Sequence, residues 1–231
     1  MPALAHQPVS LGASDEKLAG SQLLVDGTIS WAVYADLTRA GQTRHIRFAL
    51  KKGERLKAEY LILDRKPENS LRDDQLPTVS IKSPSGKIIR LAINERTDFY
   101  EPFSGTNYLF LSRLDRAGES GIYSVTIRAK RASSVVVAIG SREIRGEVLS
   151  VGKSAGTCPR RLAEGVEIPM ALARQLIGMS ERAAEVCALA NAWGLRVAKR
   201  DGEDFPLTMD YRFDRINVTV ESGKIIDISV G

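Results

Sequence analysis

The stretch from residue 207 to residue 217 reads Leu207-Thr208-Met209-Asp210-Tyr211-Arg212-Phe213-Asp214-Arg215-Ile216-Asn217. It follows a turn-rich run from Asp201 to Pro206 and leads into an alternating segment that is typical of a β-strand. A loop that stays extended between two strands needs a side-chain brace. Asp210 and Arg215 carry opposite charges and can face each other across this loop, so we predict that Arg215 supports it.

Helical periodicity precedes the loop. Ser180 is well placed as an N-cap, Glu181 favours the first turn, and Gly194 is the predicted stop. Apolar residues recur between them at three-and-four spacing: Ala183, Val186, Cys187, Ala190 and Trp193. Alternating segments at 195–198, 216–220 and 225–229 predict strands. Residues 166–231 are therefore predicted to form a small α+β domain, with one helix on a short sheet and an exposed loop.

The loop resembles the reactive loop of the potato inhibitor type I family of serine-protease inhibitors. That family's pattern, Thr-Met-acidic-Tyr-Arg-x-Asp-Arg, is matched at residues 208–215. Upstream, Leu176-Ile177-Gly178-Met179-Ser180 is similar to the family's Leu-Val-Gly-Lys-Ser segment before its helix. The resemblance covers about the last 60 residues, nearly a whole domain of this kind.

The resemblance implies that the loop enters a serine protease as a substrate does. Residues in contact with the protease would be Leu207, Thr208, Met209, Asp210, Tyr211 and Arg212. Met209 would fill the primary specificity pocket, and the Met209–Asp210 bond would be the one presented for cleavage. An unbranched apolar side chain suits the pocket of a chymotrypsin-like or subtilisin-like enzyme and does not suit a trypsin-like one.

The sequence departs from the family at one supporting position. Many plant members carry a second basic brace two residues beyond the first, and here that position is Asn217. A neutral amide donates hydrogen bonds without charge assistance, so we expect a looser loop. The alternative function is a non-inhibitory cell-envelope or extracellular binding module, for protein or carbohydrate, in which the loop is a relic.

The region before residue 151 has a different pattern. Short alternating segments separated by Gly and Pro turns predict an all-β sandwich or jelly roll over residues 27–150. Residues 1–26 show no period and are predicted to be a flexible tail, and the Gly-rich run 151–165 to be a linker. This part loosely resembles bacterial β-sandwich domains appended to secreted peptidases. The aromatic run 98–105 is either a platform for a carbohydrate or protein ligand or a loop that plugs one end of the sandwich.

Cysteine and histidine usage limits the chemistry. Cys158 and Cys187 are the only cysteines. They either form one disulfide or, since Cys187 lies on the apolar helix face, remain buried thiols. His6 and His45 are the only histidines, and no catalytic triad, zinc spacing or nucleophile elbow is present. We therefore expect neither an enzyme nor a cofactor.

Charge and hydropathy exclude further classes. The formal net charge is +5, with 33 basic and 28 acidic residues interspersed, and the excess lies before residue 170. Nucleic-acid binding needs a clustered basic stripe, so it is not expected. No run approaches the ~18 apolar residues of a membrane-spanning helix. Ala3-Leu4-Ala5 has the form of a signal-peptidase site, and together with the resemblance it predicts a secreted or periplasmic protein.

Overall fold

The computed structural model describes residues 6–102, 104–163, 165–208 and 210–231. Backbone contacts divide the chain into two compact units, Met1–Val148 and Leu149–Gly231. No helix in these described ranges is both long and apolar enough to span a membrane.

Two six-stranded sheets account for the first unit, and their last strand ends one residue beyond it. The strands in chain order are β1 (Gln7–Leu11), β2 (Leu23–Leu24), β3 (Trp31–Leu37), β4 (Thr43–Leu50), β5 (Arg55–Leu63), β6 (Thr78–Lys82), β7 (Ile88–Leu91), β8 (Thr97–Glu101), β9 (Thr106–Ala117), β10 (Gly121–Arg128), β11 (Ser133–Ile139) and β12 (Val148–Leu149). One sheet has the order β1-β3-β11-β5-β9-β8 and the other β12-β2-β4-β10-β6-β7. Single 3₁₀ turns lie at Ala13–Glu16, Leu18–Gly20 and Glu68–Ser70.

Strand alternation places the core between these sheets. In β4, Ile46 and Phe48 are fully buried, whereas His45, on the opposite face of the strand, is half-buried. The Phe48 ring stacks on Tyr123 of β10 with centroids 5.0 Å apart. Because successive side chains of a strand point to opposite faces, each sheet also presents an outer face.

The second unit is organised around a four-stranded sheet. Its elements are β13 (Val151–Gly152), β14 (Cys158–Pro159), α1 (Met170–Ala173), a 3₁₀ turn (Arg174–Leu176), α2 (Glu181–Asn191), β15 (Gly194–Arg200), β16 (Glu203–Asp204), β17 (Arg215–Glu221) and β18 (Lys224–Val230). The sheet order is β16-β15-β17-β18, and β13 pairs with β14. β15 and β17 are parallel, so the chain must return from the end of β15 to the start of β17. Residues 205–214 belong to that return.

The predicted fold class is wrong. Strands make up 47% of the described residues and form four sheets there, beside just two α-helices, of four and eleven residues. The chain is thus mostly β, and its C-terminal part is not a distinct α+β domain. The helical period covers only the three turns of α2. The residues between 149 and α2 form the β13–β14 pair, the single turn α1 and one 3₁₀ turn. One helix of three turns is thus outweighed by the strands around it.

Element boundaries also differ from expectation. Residues 7–11, which were predicted to belong to the tail, form β1 beside β3. The strand was not predicted, because five residues with two inward apolar side chains are too few to show a period. Residues 151–165, placed in a linker, contain the β13–β14 pair. Helix α2 begins after Ser180, whose Oγ accepts from Ala183 N at 3.1 Å. It ends at Ala192, which takes the left-handed conformation two residues before Gly194, the predicted stop.

Candidate functional site

The loop between β16 and β17 projects apolar side chains into solvent. Leu207, Tyr211 and Phe213 are 45%, 67% and 46% exposed. Thr208, Asp210 and Arg212 are exposed as well, and Met209, the predicted primary-pocket residue, lies outside the described residues. Exposed apolar groups on a connecting segment indicate a binding surface when the backbone beneath them is held.

Arg215 holds the loop from beneath. It is the first residue of β17 and is 9% exposed. Its Nη1 donates to Asp210 Oδ2 at 3.1 Å, and its Nη2 donates to the main-chain oxygen of Asp210. Its Nε donates to the main-chain oxygen of Gly231 at 3.0 Å. One buried cation therefore joins the loop to the end of the last strand through charge-assisted hydrogen bonds.

A second cation comes from a different strand. Arg196 of β15 donates from Nη1 to Thr208 Oγ1 at 2.8 Å and from Nε to Asn217 Oδ1 at 2.9 Å. The parallel register pairs Arg196 with Asn217, which brings two residues 21 apart side by side. Asn217 in turn donates to the Gly231 main-chain oxygen at 2.7 Å. Asn217 thus orients Arg196, and it is Arg196 that contacts the loop.

Gly194 makes room for the first cation. It pairs with Arg215 in the parallel register, and its N–H donates to the Asp214 main-chain oxygen at 2.8 Å. A Cβ at this position would lie 3.3 Å from Arg215 Cγ and 3.4 Å from Arg215 Cβ. The missing side chain lets the stem of Arg215 lie close against β15.

The segment before α1 contacts the C-terminal half of the loop. Tyr211 donates its hydroxyl hydrogen to Glu167 Oε1 at 2.7 Å, and Ile168 N donates to the Phe213 main-chain oxygen at 3.1 Å. Arg212 forms two hydrogen bonds to Asp214, of 3.1 and 2.9 Å. Neither Glu167 nor Arg196 was predicted as a loop contact, because both lie outside the loop motif 208–215 and no local spacing links them to it.

These contacts set the ionisation of the loop. Hydrogen bonding from the Thr208 side chain, followed by that from Arg215, lowers the pKa of the Asp210 carboxyl. Hydrogen bonding to Arg212 lowers the pKa of Asp214. The bond to Glu167 raises the pKa of the Tyr211 hydroxyl. Near neutral pH the loop therefore presents an ionised Asp210 and a protonated tyrosine.

A disulfide joins Cys158 of β14 to Cys187 of α2, and both sulfur-bearing side chains are buried. Asn191, also buried, donates from Nδ2 to the Cys187 main-chain oxygen at 2.9 Å. The bond links the start of the second unit to the helix that follows it. In the described ranges, no group of three or more His, Cys, Asp or Glu side chains is arranged to hold a metal ion.

The aromatic run 98–105 lies in the first unit. Phe99 belongs to β8 and packs against Phe110 with ring centroids 5.0 Å apart. Tyr100 is 57% exposed, and Phe103 lies outside the described residues. The first part of the run is thus an edge strand of a sheet, with one aromatic ring on each face.

Comparisons with known proteins add little. The sequence matches no protein-family model and no curated protein. Among the solved structures that match is a family GH115 4-O-methyl-α-glucuronidase with specificity for decorated arabinogalactans. It is 14% identical, with a TM-score of 0.29, over 61% of this chain and 17% of that chain. A similarity of this size carries no argument about fold or activity.

Proposed function

We propose that this protein is a reversible, substrate-like inhibitor of serine proteases with an apolar primary pocket, chymotrypsin-like or subtilisin-like, and that residues 207–213 bind the protease. The observation that carries the proposal is the pair of arginines beneath the loop. Arg215 contacts Asp210 through both its carboxylate and its main chain, and Arg196 contacts Thr208. These two anchor points flank the Met209–Asp210 bond that the family resemblance assigns as the presented bond.

The physical reason is preorganisation. A loop that is already ordered loses little conformational entropy on binding, so more of the contact free energy appears as affinity. An ordinary exposed ion pair contributes only about 0 to 1 kcal/mol. Here the Arg215 guanidinium is buried and shared among three oxygen atoms, which supports a stronger positioning role than that of a surface pair.

We also propose that the protein acts outside the cytoplasm. Disulfides persist in oxidising compartments and are rare in the cytosol, and the Cys158–Cys187 bond supports export. An exported inhibitor would encounter serine proteases of the proposed target class outside the cytoplasm.

Inhibition constants of the full chain against chymotrypsin, subtilisin and trypsin test the proposal. We expect inhibition of the first two, a shift toward trypsin with Met209→Lys, and at least about tenfold weaker inhibition with Arg215→Ala, equivalent to about 1.4 kcal/mol. Arg182→Ala is the control, because Arg182 lies on α2 and pairs with Glu185 of the same helix.

Two results would overturn the proposal. One is the absence of inhibition at micromolar protein, and the other is rapid cleavage at Met209 without a stable complex. Either would favour the binding-module alternative, in which the loop is a relic.

A further inference from the structure

The outer face of the first sheet has a hollow at its centre. Cross-strand register aligns Pro8, Ala32, Ala138 and Glu59 in one row across four strands. The two alanines in the middle of the row present only a methyl group each. Larger side chains surround them, so a cavity of about 180 Å³ remains above the two alanines.

The floor and walls of this cavity are apolar and aromatic. Val136 and Leu61 continue the floor in the next row of the register. Tyr34, Tyr108 and Phe99 form the walls, and the two tyrosine hydroxyls lie 3.3 Å apart. Leu61, Tyr108 and Val136 are less than 9% exposed, although they lie outside the core between the sheets.

One wall carries the Glu59 carboxylate, which has neither a hydrogen bond nor an ion pair with any described residue. Three basic side chains act on it, and each has another partner. His6, which also lines the cavity, is hydrogen-bonded through Nδ1 to Ser30 Oγ at 2.5 Å. Arg113, its cross-strand partner, forms two hydrogen bonds to Glu95 and lies over the Phe110 ring. Lys57 forms an ion pair with Asp115, with 3.6 Å between Nζ and Oδ2. A second carboxylate, that of Glu101, also lines the cavity.

We propose that this hollow binds a small organic cation that ends in a primary alkylammonium group. The alkyl stem would lie over Ala32 and Ala138, and the ammonium would pair with Glu59. The electron-rich faces of the surrounding aromatic rings add cation–π attraction.

The energetics favour a charged ligand over a neutral one. Desolvation raises the pKa of the Glu59 carboxyl, against the opposing effects of His6, Arg113 and Lys57. A partly buried carboxylate without a partner is costly, and a cation that enters the hollow removes that cost. A neutral alkyl alcohol of the same length would gain the apolar contacts alone.

The proposal is independent of the protease-binding loop and is tested by calorimetry on the full chain. The probes are n-pentylamine, a free cation, and Nα-acetyl-lysine methylamide, which carries the same ammonium on a peptide unit. We expect saturable binding of at least one probe with a dissociation constant of about 1 mM or tighter. Preference for the first probe indicates a free amine as the ligand, and preference for the second indicates a lysine side chain.

Two variants and one neutral probe make the test specific. Glu59→Gln keeps the shape of the side chain and should weaken binding at least about tenfold, since it removes the charge. Ala138→Leu should abolish binding by filling the hollow, and its thermal unfolding shows whether it folds. Glu119→Gln, at an exposed glutamate that accepts from Ser85 N, should leave binding unchanged. Equal binding of n-pentanol, unchanged affinity in Glu59→Gln, no saturable binding of either amine, or binding of a neutral oligosaccharide in their place would overturn the proposal.

Discussion

Arg196 Nη1 donates a 2.8 Å hydrogen bond to Thr208 Oγ1, across the gap between β15 and the exposed loop. Because residue 217 is a neutral asparagine, the sequence predicts a loop without a second basic brace at that position. In the structure Arg196, the cross-strand neighbour of Asn217, supplies a cation beneath the loop and is hydrogen-bonded to Asn217. A cation on the neighbouring strand can thus support the loop although residue 217 is neutral.

Arg196→Ala should weaken protease inhibition about tenfold, or about 1.4 kcal/mol, because Thr208 loses its charge-assisted bond and the loop loses order before binding. A double-mutant cycle with Thr208→Val measures the coupling of the two residues. Inhibition by Arg196→Ala/Asn217→Arg should recover in part, since residue 217 adjoins the vacated space. Additive effects in the cycle would show that Arg196 does not act through Thr208.

Gly194→Ala should loosen the loop without unfolding the second unit. The added Cβ lies 3.3 Å from Arg215 Cγ, so the arginine stem must move by a few tenths of an ångström and its bonds to Asp210 lengthen. We expect inhibition to weaken several-fold and cleavage within residues 205–214 to accelerate. Gly12→Ala is the matched control, because φ is −109° and a Cβ there meets nothing within 4 Å. Equal loss in both variants would exclude a specific role for Gly194.

Loop order should depend on pH only in acid. Hydrogen bonds from Thr208 and Arg215 lower the folded-state pKa of Asp210 below its ordinary value of 3.8. A lowered folded pKa means that the stabilisation is complete above the unfolded-state pKa and is lost as pH falls through the folded one. Amide chemical shifts of Tyr211 and Arg212 should therefore stay constant from neutral pH to about pH 5 and change below 3.8. Asp210→Asn should remove that step at Tyr211, whereas the titration of Asp214 should remain visible at Arg212, its hydrogen-bond partner. A transition at or above pH 5 would contradict the assignment.

Ala192→Gly should stabilise the second unit by about 0.5 to 1 kcal/mol. Ala192 ends α2 with φ 59° and ψ 33°, a left-handed conformation that costs a residue with a Cβ about 1 to 2 kcal/mol. The greater chain entropy of glycine offsets part of that gain. Ala190→Gly, two residues earlier and inside the helix, should have the opposite sign at about 1 kcal/mol. Chemical denaturation of both variants measures the difference, and destabilisation by Ala192→Gly would refute the prediction.

Removing the disulfide with Cys158→Ser/Cys187→Ser should cost the second unit about 3 to 4 kcal/mol, because the bond closes a segment of 29 residues in the unfolded chain. Protease inhibition at ambient temperature should persist if the unit stays folded, since Cys158 belongs to β14 and Cys187 to α2, both outside residues 205–214. Reduction of the wild-type chain should lower the unfolding midpoint of the second unit by the same amount as the double variant. An unchanged midpoint in both would show that the bond adds no stability.

Short-range patterns predicted much of the local structure. The alternating segments 216–220 and 225–229 fall within β17 and β18, and the N-cap at Ser180 marked the start of α2. Predictions that depended on the whole segment were less successful. The α+β class was wrong because one amphipathic helix cannot reveal how much β-structure surrounds it, and β1 was placed in a tail because a short strand shows its partner only in the folded chain.

The candidate site divides in the same way. Asp210 and Arg215 are five residues apart, so their opposite charges and the loop between them could be read from the sequence alone. The bond between Arg196 and Asn217, the room that Gly194 leaves for Arg215, and the hollow beside Glu59 all depend on strand register. Register is decided by the burial of entire strand faces, because a shift of one residue would turn every side chain of a strand to the opposite face. The sequence by itself therefore determined which residues carry the loop and its local brace, and the tertiary structure decided which distant side chains complete it.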